Sequence, residues 1–144
     1  IPAAASISIQ EALYTGNVSS LKTELHKLLR ESVSYYDTAG ENFYHGLVLG
    51  LCAAMSDRYY VTSNRESGYG RYDIQLMPKE HDFPGILIEL KAMKHCNHLK
   101  SLAEEALQQI KEQSYTAEMQ AKGITNICKY GVAFSGKDVE ICME

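Results

Sequence analysis

RYDIQLMP (residues 71–78) and GILIELKAM (residues 85–93) are separated only by the charged, proline-bearing stretch 79–84, and both repeat with the period of a β-strand. Side chains on an extended chain alternate faces, so Tyr72, Ile74 and Leu76 share one side and Arg71, Asp73 and Gln75 the other. In the second segment Ile86, Ile88 and Leu90 oppose Leu87, Glu89 and Lys91. The aliphatic run around Glu89 is that of a central strand, where a charge is costly unless paired or metal-bound. If the two strands pair with these faces matched, Asp73 and Glu89 come within reach of one ion, with Lys91 a strand step away.

Outward from this pair, YYVTSN (59–64) reads as a preceding third strand, joined to RYDIQLMP through a turn in which Gly68 and Gly70 permit positive φ. TAGENFYHGLVLGLCAAM (38–55) carries Tyr44, Leu47, Val48, Leu51, Cys52 and Met55 at helical steps and predicts a buried helix. Before it, Leu13, Leu21, Leu25, Leu28, Leu29 and Val33 predict two helices interrupted at Thr15–Asn17. After the strands, Leu99, Leu102, Ala106, Leu107, Ile110, Ala117 and Ala121 predict one long amphipathic helix to about Lys122, with Gly123 as its C-cap and Asn97 or Ser101 as its N-cap. ICKYGVAF and DVEICM then flank SGKD as a hairpin. The order is that of an α/β domain at 37–144, preceded by a helical lead-in or linker at 1–36.

The chain's 144 residues suffice for one good core, and its net charge of -4 gives no global pull toward a polyanion. A nucleic-acid partner therefore requires a locally basic surface, and no basic stripe is evident along the sequence. No apolar run approaches the roughly 20 residues that span a bilayer, so no membrane association is expected. Cys52, Cys96, Cys128 and Cys142 are scattered, as free thiols of a cytoplasmic protein would be. The first residues, IPAAASIS, read as neither signal nor transit peptide, and a start at Ile1 suggests a piece of a longer chain.

Two carboxylates forced together repel, and a divalent cation relieves the repulsion. Mg²⁺, with Mn²⁺ as its substitute, accepts one or two protein carboxylates, keeps waters and takes phosphate oxygens. Such an ion lowers the pKa of the water it holds, which Lys91 could orient or help deprotonate. These parts fit phosphodiester hydrolysis. Arg65 and Arg71 would supply bidentate phosphate contacts, or else pair Glu66 or Asp73. His45 lies one helical turn from Glu41 and would either bond a phosphate or close the helix against the sheet. Thr38 and Glu41 have capping-box spacing, an alternative role for that acid. KHCNH (94–98) lacks the second ligand pair of a zinc site and reads as the loop entering the long helix.

ENFYHGLVLGL, SNRESGYGRYDI, IELK and YGVAFSGKDV, in this order between Asp37 and Val139, resemble the PD-(D/E)XK nuclease superfamily. More narrowly, they resemble the nuclease-like domain that follows an AAA-type ATPase-like domain in many bacterial proteins, with the first 36 residues similar to the connecting region. The resemblance implies a restriction-endonuclease-like αβββαβ core with a mixed central sheet flanked by helices. It also implies Asp73 and Glu89 as metal ligands, Lys91 as catalytic lysine, Glu41 as auxiliary acid and Gln109 as the polar residue of the following helix. Tyr72 stands where the superfamily name has Pro. The expected function is metal-dependent hydrolysis of DNA. The alternatives are an inactive nuclease-fold module that recognises nucleic acid or a protein for its upstream ATPase-like neighbour, and an assembly element that homodimerises through its helices.

Overall fold

The computed structural model of the chain describes residues 3–32, 41–66, 71–113 and 115–144, with backbone alone at 32, 41, 42, 65, 66, 71 and 72. In chain order the elements are α1 (Ala3–Thr15), α2 (Val18–Ser32), α3 (Glu41–Ala53), β1 (Tyr59–Glu66), β2 (Arg71–Pro78) and β3 (Gly85–Ala92), then α4 (Leu99–Lys111), α5 (Tyr115–Ala121), β4 (Ile127–Ser135) and β5 (Asp138–Met143). From α3 onward this contains the expected αβββαβ order. Val33, Thr38, Gly68 and Gly70 lie outside the described residues. No described helix is long and apolar enough to cross a membrane.

The strands form one mixed sheet in the order β1-β2-β3-β4-β5. β1, β2 and β3 run antiparallel in succession, β4 lies parallel to β3, and β5 returns antiparallel to β4. The parallel pair requires a crossover, and α4 with α5 provides it. The alternation predicted for the central strands is realised. Ile74, Leu76, Ile86, Ile88 and Leu90 join the large core under α1, α2 and α3, whereas Leu87 packs with Ile110, Met119 and Ile124 on the opposite face. The α3 stripe holds for Tyr44, Val48, Leu51 and Cys52, which are buried; Leu47 is half-buried, and Met55, past the end of α3, is buried. Burial pushes the Cys52 thiol up to about 12, so this cysteine serves as a small apolar core residue.

The predicted break at Thr15–Asn17 separates α1 from α2. The Asn17 N–H donates to the Ala12 carbonyl at 3.0 Å, closing α1, and its Oδ1 accepts from the Ser20 N–H at 3.1 Å, capping α2. Both helices belong to the core that covers the sheet, with Ile9, Leu13, Leu21, Leu25, Leu28 and Leu29 buried. Tyr130, in the middle of β4, donates its hydroxyl proton to the Leu13 carbonyl at 2.7 Å, and burial raises its pKa so that it remains a donor. Tyr130→Phe should leave the fold intact and lower unfolding stability by about 1 kcal/mol, read by urea denaturation.

Two local expectations are corrected. The single helix from Leu99 to Lys122 is two: α4 stops at Lys111 with Glu112 as its C-cap, and α5 begins at Tyr115. Ala117 and Ala121 are exposed and Met119 is the buried residue of α5, so the apolar phase changes across the break. The break lets Met119 lie over the start of β3, where a Cβ on Gly85 would come within 2.6 Å of its Sδ. Gly123 does end α5, at φ 88°, with Gly123 N–H bonded to Gln120 O and Ile124 N–H to Met119 O, both at 3.0 Å. At the other end, the N-cap of α4 is His98 rather than Asn97 or Ser101, and it makes no side-chain capping bond. The Asn97 Oδ1 lies instead 3.1 Å from His98 Nδ1.

Candidate active site

The register places Asp73 directly opposite Glu89, in a row across the sheet that reads Asn64, Asp73, Glu89, Gly131, Cys142. Residues directly opposed on antiparallel strands project to the same face, with Cβ atoms about 5 Å apart. Both acids are buried, Asp73 at 4% and Glu89 at 1% exposure, where the Coulomb term between like charges is weakly screened. This face is the one covered by α4 and α5, since Leu87 and Glu89 stand two residues apart on β3.

Lys91 is one further same-face step along β3, paired in register with Ala133. Its Nζ reaches to 3.5 Å from Glu105 Oε2 of α4, and its side chain is only 15% exposed. Gln109 lies one turn beyond Glu105 on the same flank of α4. Its Oε1 is buried and has no hydrogen-bond partner among the described residues.

Gly131 brings α4 this close. A Cβ there would lie 2.3 Å from the Ala103 carbonyl oxygen and 2.5 Å from the Leu107 nitrogen, so only glycine permits the helix backbone to rest on β4 beside Glu89. Neither Gly131 nor Glu105 was singled out from the sequence. Glu105 could have been found from its i,i+4 spacing to Gln109, but Gly131 gives no local signal within an aliphatic strand.

His45 is placed elsewhere. Its Nε2 lies 2.5 Å from Ser63 Oγ, and Ser63 pairs with Ile74, on the face opposite the carboxylates. Burial lowers its pKa, favouring the neutral ring. Glu41 opens α3, while Arg65 and Arg71 stand near the ends of β1 and β2. The side chains of these three lie outside the described residues.

The site thus joins two acids on adjacent strands, a lysine two residues after the second acid, and a glutamine on the helix that follows. A family model described as the PD-(D/E)XK nuclease superfamily matches residues 39–144. The chain belongs to the PD-(D/E)XK nuclease superfamily. No curated protein matches it significantly.

PD-(D/E)XK nucleases generally use divalent metals, and the donor set here suits such an ion. Two carboxylates from facing positions offer hard oxygen ligands, and a hard cation with a retained water shell needs no more from the protein. Among the described residues, no group of three or more His, Cys, Asp or Glu side chains gathers as a metal cluster.

Proposed function

We propose that this PD-(D/E)XK domain hydrolyses DNA phosphodiester bonds with Mg²⁺, for which Mn²⁺ can substitute, held by Asp73 and Glu89. The observation that carries the reading is the cross-strand pairing of these buried acids, with Lys91 on the same face. A divalent ion held there would polarise a phosphoryl oxygen and acidify a water. Lys91 would hold its ammonium against the phosphate and orient the attacking water. Gln109 would offer its buried amide oxygen from α4, and Glu105 would position the lysine through its ammonium. Glu41 is assigned the auxiliary acidic role by its match to the superfamily pattern, and Arg65 and Arg71 the phosphate contacts by their place at the strand ends on either side of the turn. The resemblance of the first 36 residues to a connecting region supports an upstream ATPase-like domain as the partner that delivers DNA.

The test is cleavage of linear, branched and single-stranded DNA across a Mg²⁺ titration, by wild type, Asp73→Ala and Lys91→Ala. Lys91→Ala should lower the cleavage rate by about 10²- to 10³-fold, the usual cost of removing one preorganised donor to transition-state charge. Equal rates in all three proteins would overturn the reading. One observation favours the second reading, an inactive recognition module: Lys91 is already engaged by Glu105. DNA binding that survives Asp73→Ala, with no cleavage by any of the three, would support it.

A further inference from the structure

The chain is acidic overall, and its sequence shows no basic stripe, yet the fold gathers cations from three distant segments at one end of the sheet. Past Lys91, the chain leaves β3 through Lys94 and His95, which line a groove of about 480 Å³ with Lys137 of the β4–β5 turn. Met93 N–H bonds the Phe134 carbonyl and Cys96 N–H bonds Ser135 Oγ, both at 3.0 Å, fixing this loop to the hairpin. On the other side of the turn, α2 presents Lys22, His26, Lys27 and Arg30 along a second groove of about 740 Å³. The two grooves are neighbours: His26, which lines one, has its Nε2 3.9 Å from Oδ1 of Asp138, which lines the other.

The register of α2 on β5 fixes its direction. Lys22 pairs with Glu140 at 3.0 Å and His26 approaches Asp138, so Arg30, one turn further, extends past the hairpin turn. The acids Glu31, Asp138 and Glu140 are interspersed, and Glu140 takes up the charge of Lys22. Among the described residues no ion pair engages Lys27, Arg30, Lys94 or Lys137. Lys94 and Lys137 line the groove just past the end of β3 that carries Lys91, whereas Lys27 and Arg30 line the groove of α2, which covers the opposite face of the sheet from Glu89.

We infer that Lys94 and Lys137, continued by Lys27 and Arg30 of α2, form a track for the phosphate backbone of a DNA strand leading to or from the carboxylate pair. α2 lies outside residues 39–144, the span matched by the superfamily, so part of this track comes from the N-terminal helices. The choice of DNA over an acidic protein rests on the hydrolytic reading; the track itself rests on charge and placement.

The test is fluorescence anisotropy of a labelled 20-nucleotide single strand and a 20-base-pair duplex with the 144-residue chain in EDTA, at 50 to 200 mM salt. Lys27→Glu/Arg30→Glu and Lys94→Ala/Lys137→Ala should each weaken binding about tenfold or more and reduce the slope of log affinity against log salt by about 1.4 to 1.8, two phosphate contacts' worth. Lys122→Glu, an exposed charge reversal at the opposite end, should change neither. Unchanged affinity and slope in both double variants would overturn the track, as would failure of wild type to bind either probe. An unchanged Lys27→Glu/Arg30→Glu result alone would also overturn it and leave the α2 face to an acidic protein partner. Because these measurements contain no metal, they separate from cleavage: a track lost in the variants stands even if wild type cuts nothing, and cleavage with unaltered binding overturns the track alone.

Discussion

Mg²⁺ is expected to stabilise the wild-type chain against unfolding and to have no such effect on Asp73→Asn or Glu89→Gln. Each substitution keeps side-chain shape and removes the charge that attracts the ion. A ligand that binds only the folded state stabilises it by about 2.7 kcal/mol at a hundred times its Kd. Thermal melts of the three proteins with and without Mg²⁺ read this directly and require no substrate. The same substitutions should lower DNA cleavage by at least about a hundredfold, because the ion is asked to stabilise transition-state charge. Equal stabilisation of all three proteins by Mg²⁺ would show that the ion binds elsewhere. Loss of Mg²⁺ stabilisation with cleavage intact would detach the metal from the chemistry.

Gly131→Ala should be among the most destabilising single-methyl changes in this molecule. The added Cβ would meet backbone atoms of α4, the Ala103 oxygen at 2.3 Å and the Leu107 nitrogen at 2.5 Å, and backbone cannot swing aside as a side-chain tip can. Overpacking a tight contact costs about 1 to 3 kcal/mol, and more when the neighbour is rigid. Relief requires α4 to lift from β4. Such a lift would carry Glu105 away from Lys91, so cleavage should fall more than the lost stability explains when measured well below the melting temperature. An unchanged melting temperature would contradict the close approach. A lowered melting temperature with full activity would show that α4 does not position the site.

The central part of this site was legible because a strand has an unforgiving period of two. Once RYDIQLMP and GILIELKAM are extended, Asp73 cannot share a face with Ile74, nor Glu89 with Leu90, and the only open matter is register. The register proves to be the one that sets the two acids opposite each other. The N-terminal turn was legible for a related reason, since Gly16 and Asn17 carry both a helix stop and a helix start. What could not be seen depends on long-range placement. Alanine gives little phase information because it is tolerated on either face of a helix. Ala117 and Ala121 therefore prolonged an apparent stripe past the turn that ends α4, while Met119 marked the buried side of α5. The role of Gly131 needs a helix laid across its strand. The cations at 27–30, 94 and 137 become neighbours only when the β4–β5 turn comes to lie between α2 and the end of β3.

The most direct measurement on the carboxylate pair is a crystal of the wild-type chain soaked in Mn²⁺, with anomalous scattering collected to locate the ion. The predicted result is a peak between Asp73 and Glu89 on the α4 face of the sheet, within coordination distance of an oxygen from each. Saturating Mn²⁺ that leaves this position empty, or that binds with neither carboxylate, would contradict the account.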